Sequence, residues 1–259
     1  MSLIKVETRD DVGIITLDNA KRRNALSEPL VQEVIGALAN LQALKVRVVI
    51  LRAAIGSPVW STGHDIDELP EGRRDPRGWD DPLRHLIREI ESYPGPVIAM
   101  VDGGVWGGAC ETVFACDMII ATPEATFAVT PAKLGVPYNV SGMLTFMNAA
   151  SLFIVKEMAF TAKPLSAERA ERLGIVNHLV PRDEIEDFTH AMAADIAANS
   201  PLSISVMKEQ LRILAGAHPM TPQGFERVQG LRRVVYDSED YHEGIRAFKE
   251  KRKPRFEGR

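Results

Sequence analysis

The sequence predicts an α/β protein, and three patterns support this class. Short apolar runs rich in β-branched residues recur along the first part of the chain, as expected of buried strands. Amphipathic stretches with apolar residues at helical spacing separate them. The 259 residues are 45% hydrophobic and 25% charged, which is typical of a globular domain and excludes a disordered or fibrous chain. Strands that alternate with helices predict helix-covered sheets.

The predicted strands are short and bounded by turn residues. They are Ile14–Leu17, Val46–Leu51, Val97–Val101, Met118–Ala121 and Ile175–Val180. One amphipathic helix follows Ser27, a predicted N-cap, and carries its apolar stripe over Leu30–Leu41. A second begins at Pro82 and carries its stripe over Leu83–Ile90. The pattern therefore places helices between buried strands.

Beyond about residue 140 the pattern becomes almost entirely helical. The predicted helices there are Ser151–Phe160, Ser166–Leu173, Arg182–Ala198, Leu202–Leu214 and Phe225–Val235. The segment Gly72–Pro82 is dense in turn formers and charge, which predicts a surface loop.

Charge and cysteine content exclude several classes of protein. Lys and Arg number 31 against 35 Asp and Glu, so no basic excess points to a nucleic-acid partner. No stretch approaches the roughly 20 apolar residues of a membrane span, and the N-terminus lacks the apolar run of a signal peptide. Cys110 and Cys116 are the two cysteines, which favours a reducing compartment over a disulfide scaffold. We expect a cytoplasmic enzyme with no nucleic-acid or membrane partner.

Two glycine-containing turns are candidate binding sites built from backbone. Trp60–Ile66 (WSTGHDI) follows one predicted strand, and Gly103–Glu111 (GGVWGGACE) follows another. If their N–H groups converge on one carbonyl oxygen, they stabilise an enolate or tetrahedral oxyanion by about 3–4 kcal/mol per donor. The structural alternatives are an ordinary strand-to-helix turn for the first segment and close packing of helix on strand for the second.

A metal site is not expected. The candidate ligands His64, Asp65, Asp67 and Glu68 cluster in one short segment, but zinc sites need three or four ligands. No second His or Cys cluster elsewhere in the sequence completes such a set. Neither a G-x-G-x-x-G fingerprint nor a P-loop is present, which disfavours a dinucleotide-binding site and a phosphate-binding loop.

Several motifs together resemble the crotonase (enoyl-CoA hydratase/isomerase) superfamily over essentially the whole chain. They are Arg23-Asn24-Ala25-Leu26, Gly63-His64-Asp65-Ile66, Trp106-Gly107-Gly108-Ala109-Cys110-Glu111, Leu134-Gly135-Val136-Pro137 and Phe248-Lys249-Glu250-Lys251-Arg252-Lys253. The resemblance implies a spiral core of ββα turns over residues 1–195 and a helical trimerisation region over 196–259. It also implies acyl-CoA thioester substrates, a homotrimer or dimer of trimers, and no cofactor beyond the CoA of the substrate.

Carried over by position, the resemblance makes the backbone N–H groups of His64 and Gly108 the two oxyanion donors. The residues that it implies for substrate and CoA binding are Arg22, Arg23, Ala25, Thr62, Gly63, His64, Asp65, Ile66, Gly108, Thr130, Phe248 and Lys251. Residues 246–259 hold seven Lys or Arg against two Glu, which agrees with a CoA contact, although a solvated basic tail is the alternative.

The reaction is indicated by a departure from the family pattern. Hydratases of the superfamily use two glutamates; Glu111 matches the first, but Pro131 stands at the second position and cannot exchange a proton. Thr130 and Tyr138 offer hydroxyls nearby that could orient a carboxylate, with a local hydrogen bond or a buried aromatic as the alternatives.

Further motifs resemble the decarboxylating branch of the superfamily, which acts on methylmalonyl-CoA. The leading one combines His64 with Thr130-Pro131 and Gly135-Val136-Pro137-Tyr138-Asn139. The others are Glu68-Leu69-Pro70, Asp80-Asp81-Pro82-Leu83-Arg84, Val105-Trp106 and Val235–Tyr241. We therefore expect conversion of methylmalonyl-CoA to propionyl-CoA and carbon dioxide through a thioester enolate, with His64, Gly108, Tyr138 and Thr130 as catalytic residues. The alternatives are hydration or isomerisation of an enoyl-CoA by Glu111, and a non-catalytic CoA- or RNA-binding member of the fold.

Overall fold

The computed structural model describes residues 2–69, 78–217 and 219–258. Residues 72–77 of the predicted Gly72–Pro82 loop lie outside the described residues. The described strands, in chain order, are β1 (Ile4–Arg9), β2 (Val12–Leu17), β3 (Val48–Ala53), β4 (Val59–Ser61), β5 (Val97–Val101), β6 (Gly104–Trp106), β7 (Met118–Ala121), β8 (Thr126–Ala128), β9 (Leu165–Ser166) and β10 (His178–Leu179).

The described α-helices connect and cover these strands. They are α1 (Glu28–Ala43), α2 (Pro82–Ser92), α3 (Gly108–Phe114), α4 (Val140–Ala149), α5 (Leu152–Thr161), α6 (Ala167–Arg172), α7 (Ile185–Ala197), α8 (Pro201–Ala215), α9 (Pro222–Tyr236) and α10 (Glu239–Lys249). Short 3-10 helices lie at Ala20–Arg22, Ile66–Glu68 and Pro131–Leu134.

The strands form two sheets. The larger has the order β1-β2-β3-β5-β7-β10, and the smaller has the order β4-β6-β8-β9. Apart from the antiparallel pairs β1–β2 and β8–β9, neighbouring strands run parallel. Successive strands alternate between the sheets, and each pair is followed by a helix: β3-β4-α2, β5-β6-α3 and β7-β8-α4. This is the ββα spiral that the motifs imply, and the α/β class is confirmed.

The larger sheet is buried on both faces. Val49, Leu51 and Val97 belong to the core that it shares with α1 and α2. On the other face, Ile50 and Ile98 pack with residues of α7. Near-continuous β-branched runs suit a parallel sheet that helices cover on both sides, which is why these strands were recognisable from sequence.

Several predicted elements are confirmed, and two differ in detail. Ser27 precedes α1 as expected but its side chain makes no capping hydrogen bond. The predicted strand Ile175–Val180 pairs over two residues only, β10. The Asn177 side chain accepts the Ile119 N–H at 2.7 Å and thereby replaces part of the strand ladder.

The C-terminal helices fold back onto the core of the same chain. Gly244 of α10 lies so close to the Pro131–Leu134 helix that an added Cβ would stand 2.1 Å from the Leu134 carbonyl oxygen. Lys208 of α8 donates from Nζ to the Ile90 carbonyl at 3.1 Å and to the Asp117 carboxylate at 2.8 Å. Among the described residues, no helix is both long enough and apolar enough to span a bilayer.

Asp102 fixes the corner between β5 and β6. Its side chain is buried and accepts hydrogen bonds from the Arg182 guanidinium, the Gly56 N–H and the Thr122 hydroxyl. Burial would raise the pKa of Asp102, but these hydrogen bonds and the charge of Arg182 outweigh it and hold the pKa below its ordinary value. The ionised carboxylate therefore stabilises the folded state.

We predict that Asp102→Asn lowers the free energy of unfolding by about 1–3 kcal/mol at pH 7. The amide has no negative charge for Arg182 and one acceptor oxygen instead of two, so some of the buried donors lose their partner. Since the folded pKa is depressed, the difference from wild type is complete above pH ~4 and disappears as pH falls through the folded pKa. Urea unfolding at several pH values measures it. Glu124→Gln, which removes only the exposed 3.9 Å contact with Arg182, is the control, expected to change less than about 0.5 kcal/mol.

Candidate active site

A cleft opens at the carboxyl ends of β4, β6 and β8, three neighbouring parallel strands. It is lined by Lys21, Arg22, Arg23, Ala25, Thr62, His64, Asp65, Ile66, Asp67, Leu69, Trp106, Gly107, Gly108, Thr130, Pro131, Lys133, Leu134, Val136 and Phe248. Ligand sites of open α/β sheets occupy this edge because the loops that follow parallel strands meet there.

The two glycine turns meet in this cleft. Gly63 has φ +84°, and an added Cβ would lie 2.4 Å from the Trp106 carbonyl oxygen and 2.6 Å from the Gly108 nitrogen. An added Cβ on Gly108 would lie 3.2 Å from the His64 nitrogen. Only glycine permits this approach of backbone to backbone.

The His64 and Gly108 N–H groups are both available to a ligand. Among the described residues, neither donates a hydrogen bond to another backbone group. Gly108 is the first residue of α3, so its N–H has no partner within the helix. Two unpartnered N–H groups on neighbouring turns fit the oxyanion hole that the motifs imply, and that role stays a prediction.

The chain segment around Ala25 supports the first turn. Leu26 N–H donates to the Gly63 carbonyl at 2.8 Å, and Thr62 N–H donates to the Arg23 carbonyl at 3.2 Å. The Ser61 hydroxyl donates to the Asn24 carbonyl at 2.6 Å. The Arg23–Leu26 motif is therefore a backbone partner of the His64 turn, which explains why both segments line one cleft.

Both ring nitrogens of His64 face an acceptor, and a neutral imidazole donates to one of the two. Nδ1 lies 2.9 Å from the Asp65 carbonyl oxygen, and Nε2 lies 3.4 Å from the Asp81 carboxylate. The side chain is only 11% exposed. These contacts restrict the rotamer of the residue whose N–H is one oxyanion donor.

Tyr138 contacts the oxyanion hole from behind. Its hydroxyl donates to the Gly107 carbonyl at 2.9 Å, and its ring packs edge-on against Phe146 with centroids 4.9 Å apart. The Gly107 carbonyl and the Gly108 N–H belong to one planar peptide, so this hydrogen bond orients the donor. Tyr138 is not among the residues that line the cleft; its expected contact with the substrate carboxylate stays a prediction.

Thr130 and Pro131 face the cleft from the end of β8. The Thr130 hydroxyl lies 3.0 Å from the position of an added Cβ on Gly107, and it makes no capping hydrogen bond to the helix that Pro131 begins. A hydroxyl therefore stands beside the oxyanion hole. Pro131 presents only carbon atoms there.

Glu111 is paired with Arg84. It is fully buried, and its carboxylate accepts a hydrogen bond from the Arg84 guanidinium of α2. It does not line the cleft. A carboxylate engaged in a buried ion pair is a poor general base for water, so this contact disfavours the alternative in which Glu111 activates water.

Basic side chains surround the cleft. Arg22 donates to Asp65 and Asp67, and the Asp67 hydrogen bond is the largest cause of the raised pKa of Arg22. Lys21, Arg23 and Lys133 also line the cleft. Phe248 lines it from α10 of the same chain, so one chain contributes both the core and the C-terminal part of the site.

Most of the predicted binding residues line the cleft, whereas Gly63, Lys251, Tyr138 and Glu111 do not. Gly63 lies behind the lining surface, and Lys251 is exposed just beyond α10. Sequence reasoning missed Lys21, Trp106, Lys133 and Val136 as lining residues. Lys21 and Lys133 adjoin motifs that were recognised, so their positive charge was the available signal. Among the described residues, no group of three His, Cys, Asp or Glu side chains could hold a metal ion.

Comparison with known proteins agrees with this geometry. A model of the enoyl-CoA hydratase/isomerase family matches residues 7–259. The chain belongs to this family. A relative within it, the methylmalonyl-CoA decarboxylase of Escherichia coli (strain K12), is 50% identical over 255 residues, which cover 98% of each chain.

Two solved structures of the family are similar over almost the whole chain. A methylmalonyl-CoA decarboxylase in complex with 2-nitronate-propionyl-CoA superposes with a TM-score of 0.97 at 49% identity, covering 99% of each chain. Another, complexed with 2S-carboxypropyl-CoA, gives a TM-score of 0.98 at 49% identity, covering 100% of this chain and 99% of that one. The crotonase-like fold expected from the motifs is confirmed.

We predict that Tyr138→Phe lowers kcat for turnover of the acyl-CoA substrate about tenfold. The Gly107–Gly108 peptide would lose the hydrogen bond that orients one expected oxyanion donor. Steady-state kinetics with an acyl-CoA substrate measures this. Tyr93→Phe is a matched control: its hydroxyl donates to the Val46 carbonyl at 3.0 Å, also from a buried position, but away from the cleft. Both variants should lose about 1 kcal/mol of stability; equal kcat values in the two would contradict the positioning role of Tyr138.

Proposed function

We propose that the protein decarboxylates methylmalonyl-CoA to propionyl-CoA and carbon dioxide. The observation that carries the proposal is an oxyanion hole beside Pro131, with Glu111 paired to Arg84. Such a site can stabilise an enolate, but Pro131 stands where hydratases of the family have the second glutamate that activates water. The relative that is 50% identical over nearly the full chain is a methylmalonyl-CoA decarboxylase, which supports the same reaction.

In the proposed mechanism, backbone N–H groups stabilise the negative charge that develops on the substrate. The thioester oxygen accepts hydrogen bonds from the His64 and Gly108 N–H groups. As the bond between Cα and the carboxylate breaks, its electron pair moves into the thioester, and carbon dioxide leaves. The resulting enolate carries its charge on the oxygen that the two donors hold. Protonation at Cα, by His64, Tyr138 or water, gives propionyl-CoA.

The geometry of the carboxylate determines the rate. The breaking bond must stand perpendicular to the thioester plane so that it overlaps the carbonyl π system. We propose that the hydroxyl of Thr130 or Tyr138 orients the carboxylate. Pro131, Trp106 and Val136 give that end of the cleft an apolar lining, which favours conversion of a charged carboxylate to neutral carbon dioxide.

The CoA part of the substrate is expected along the basic rim. Lys21, Arg22, Arg23 and Lys133 suit its phosphates, and Phe248 offers an aromatic face. In this proposal the reaction needs no cofactor, since the thioester itself accepts the electron pair. We also propose a cytoplasmic location, in keeping with the two free cysteines.

Product analysis by mass spectrometry tests the proposal. Purified protein is incubated with methylmalonyl-CoA and, separately, with crotonyl-CoA. We expect propionyl-CoA from the first and no hydrated product from the second, because a second carboxylate is missing at Pro131. Hydration of crotonyl-CoA with methylmalonyl-CoA left intact would overturn the proposal in favour of an enoyl-CoA hydratase.

We propose further that the chain assembles as a homotrimer or a dimer of trimers. Large apolar side chains on α5, α8 and α9 are exposed, a pattern that marks interaction surfaces. They include Phe153 and Phe160 on α5, Leu202, Leu211 and Leu214 on α8, and Leu231 and Val234 on α9.

Sedimentation velocity is expected to give three or six times the 28.6 kDa chain mass. Leu211→Lys combined with Val234→Lys should shift the protein to smaller species, because two charges would be buried at the interface. Leu44→Lys is the matched control, since Leu44 at the end of α1 is 70% exposed, like Leu211 at 67%. A monomer in the wild type, or an unchanged mass in the double variant, would contradict the proposed assembly.

A further inference from the structure

We propose that the first turn of α2, Asp81–Arg84, holds the two oxyanion donors at their working separation, and that Asp81 is a positioning residue that acts through the His64 ring. The inference rests on the proposed function and extends it to residues that do not line the cleft. Three side chains of this turn carry it, each with a different contact.

Asp81 links the turn to the first donor. One carboxylate oxygen, Oδ2, lies 3.4 Å from His64 Nε2. The other, Oδ1, accepts the Arg84 N–H at 3.2 Å and caps α2. The Asp81 side chain is only 3% exposed. The same carboxylate caps the helix and faces the imidazole, so the His64 ring lies against the start of α2.

Leu83 and Arg84 link the same turn to the second donor. The Leu83 side chain packs on Gly108, where an added Cβ would lie 2.6 Å from Leu83 Cδ2. Arg84 pairs with Glu111 of α3, the helix that Gly108 begins. Leu83 therefore limits the position of Gly108 from one side, and the ion pair fixes the helix behind it.

The two donors come from different turns and are 44 positions apart in the chain. Catalysis by an oxyanion hole requires donors that are fixed before charge develops. A single helical turn that contacts both donors supplies this rigidity. A change of even 1 Å in their relative position can cost on the order of 100-fold in rate.

The test is a double-mutant cycle on Asp81 and His64. Asp81→Ser keeps an N-cap, because serine caps about as well as aspartate, but it is too short to reach the imidazole. His64→Ala removes the ring and keeps the backbone donor. We expect Asp81→Ser to lower kcat for methylmalonyl-CoA about tenfold with KM changed less than twofold, and to have less than a twofold effect in the His64→Ala background.

Two further variants separate the contact with the His64 ring from the negative charge of Asp81 and from its capping of α2. Asp81→Asn retains a hydrogen-bonding group for both His64 and Arg84, so we expect it to restore kcat to within threefold of wild type. Asp80→Ser changes the exposed neighbour and should leave kcat and KM unaltered. The melting temperature of each variant shows whether α2 is still capped.

The proposal is overturned by additive losses in the cycle, by an unchanged kcat in Asp81→Ser, or by equal losses in the Asn and Ser variants. The affinity for 2-nitronate-propionyl-CoA, measured by calorimetry on the same proteins, gives an independent readout and should follow the same non-additive pattern. If wild type does not decarboxylate methylmalonyl-CoA, the proposed function fails, and the affinity cycle still decides the role of Asp81.

Discussion

The structure depends on one close approach of main chain to main chain. Gly63 meets the Trp106–Gly108 backbone at distances that leave no room for a Cβ. The approach follows from the parallel pairing of β4 with β6, which ends both strands at one edge. The other groups at the site lie around this contact. Tyr138 donates to the Gly107 carbonyl, Leu83 of α2 packs on Gly108, and the Thr130 hydroxyl lies near Gly107. The centre of the site is therefore built from backbone, and glycine is the residue that permits this approach.

Sequence periodicity predicted the parts of the fold that are long or fully buried. Val97–Val101 and Met118–Ala121 were recognisable because both faces of the larger sheet are covered. The strands of the smaller sheet have two or three residues each, too few for any period to show. The glycine turns predicted the close approach of the two backbone segments, and the structure shows it. The partner of the Tyr138 hydroxyl depends on how α4 packs beside α3, which local sequence does not encode. The fold-back of α10 depends likewise on Gly244 meeting Leu134, a contact between residues 110 positions apart in the chain.

The two sheets share one core but differ in what their strand ends do. The larger sheet and its covering helices supply most of the buried apolar residues. The smaller sheet adds Trp60, Val105 and Phe127 to the same core, and its strands end in the three turns that line the cleft. Asp102 lies at the β5–β6 corner between the sheets, where it accepts hydrogen bonds from Arg182. The residues that support the cleft therefore also stabilise the fold.

The buried pair of Arg84 and Glu111 has a consequence for how such a site can change over generations. A single Pro131→Glu substitution would supply the missing second carboxylate but would leave the first one engaged by Arg84. Replacing Arg84 first would leave a fully buried glutamate without its cation, which is strongly destabilising. Each single step is therefore unproductive or unfavourable, and water-adding chemistry is separated from this site by at least two coupled substitutions. The ion pair therefore keeps this site from acquiring water-adding chemistry by any single substitution.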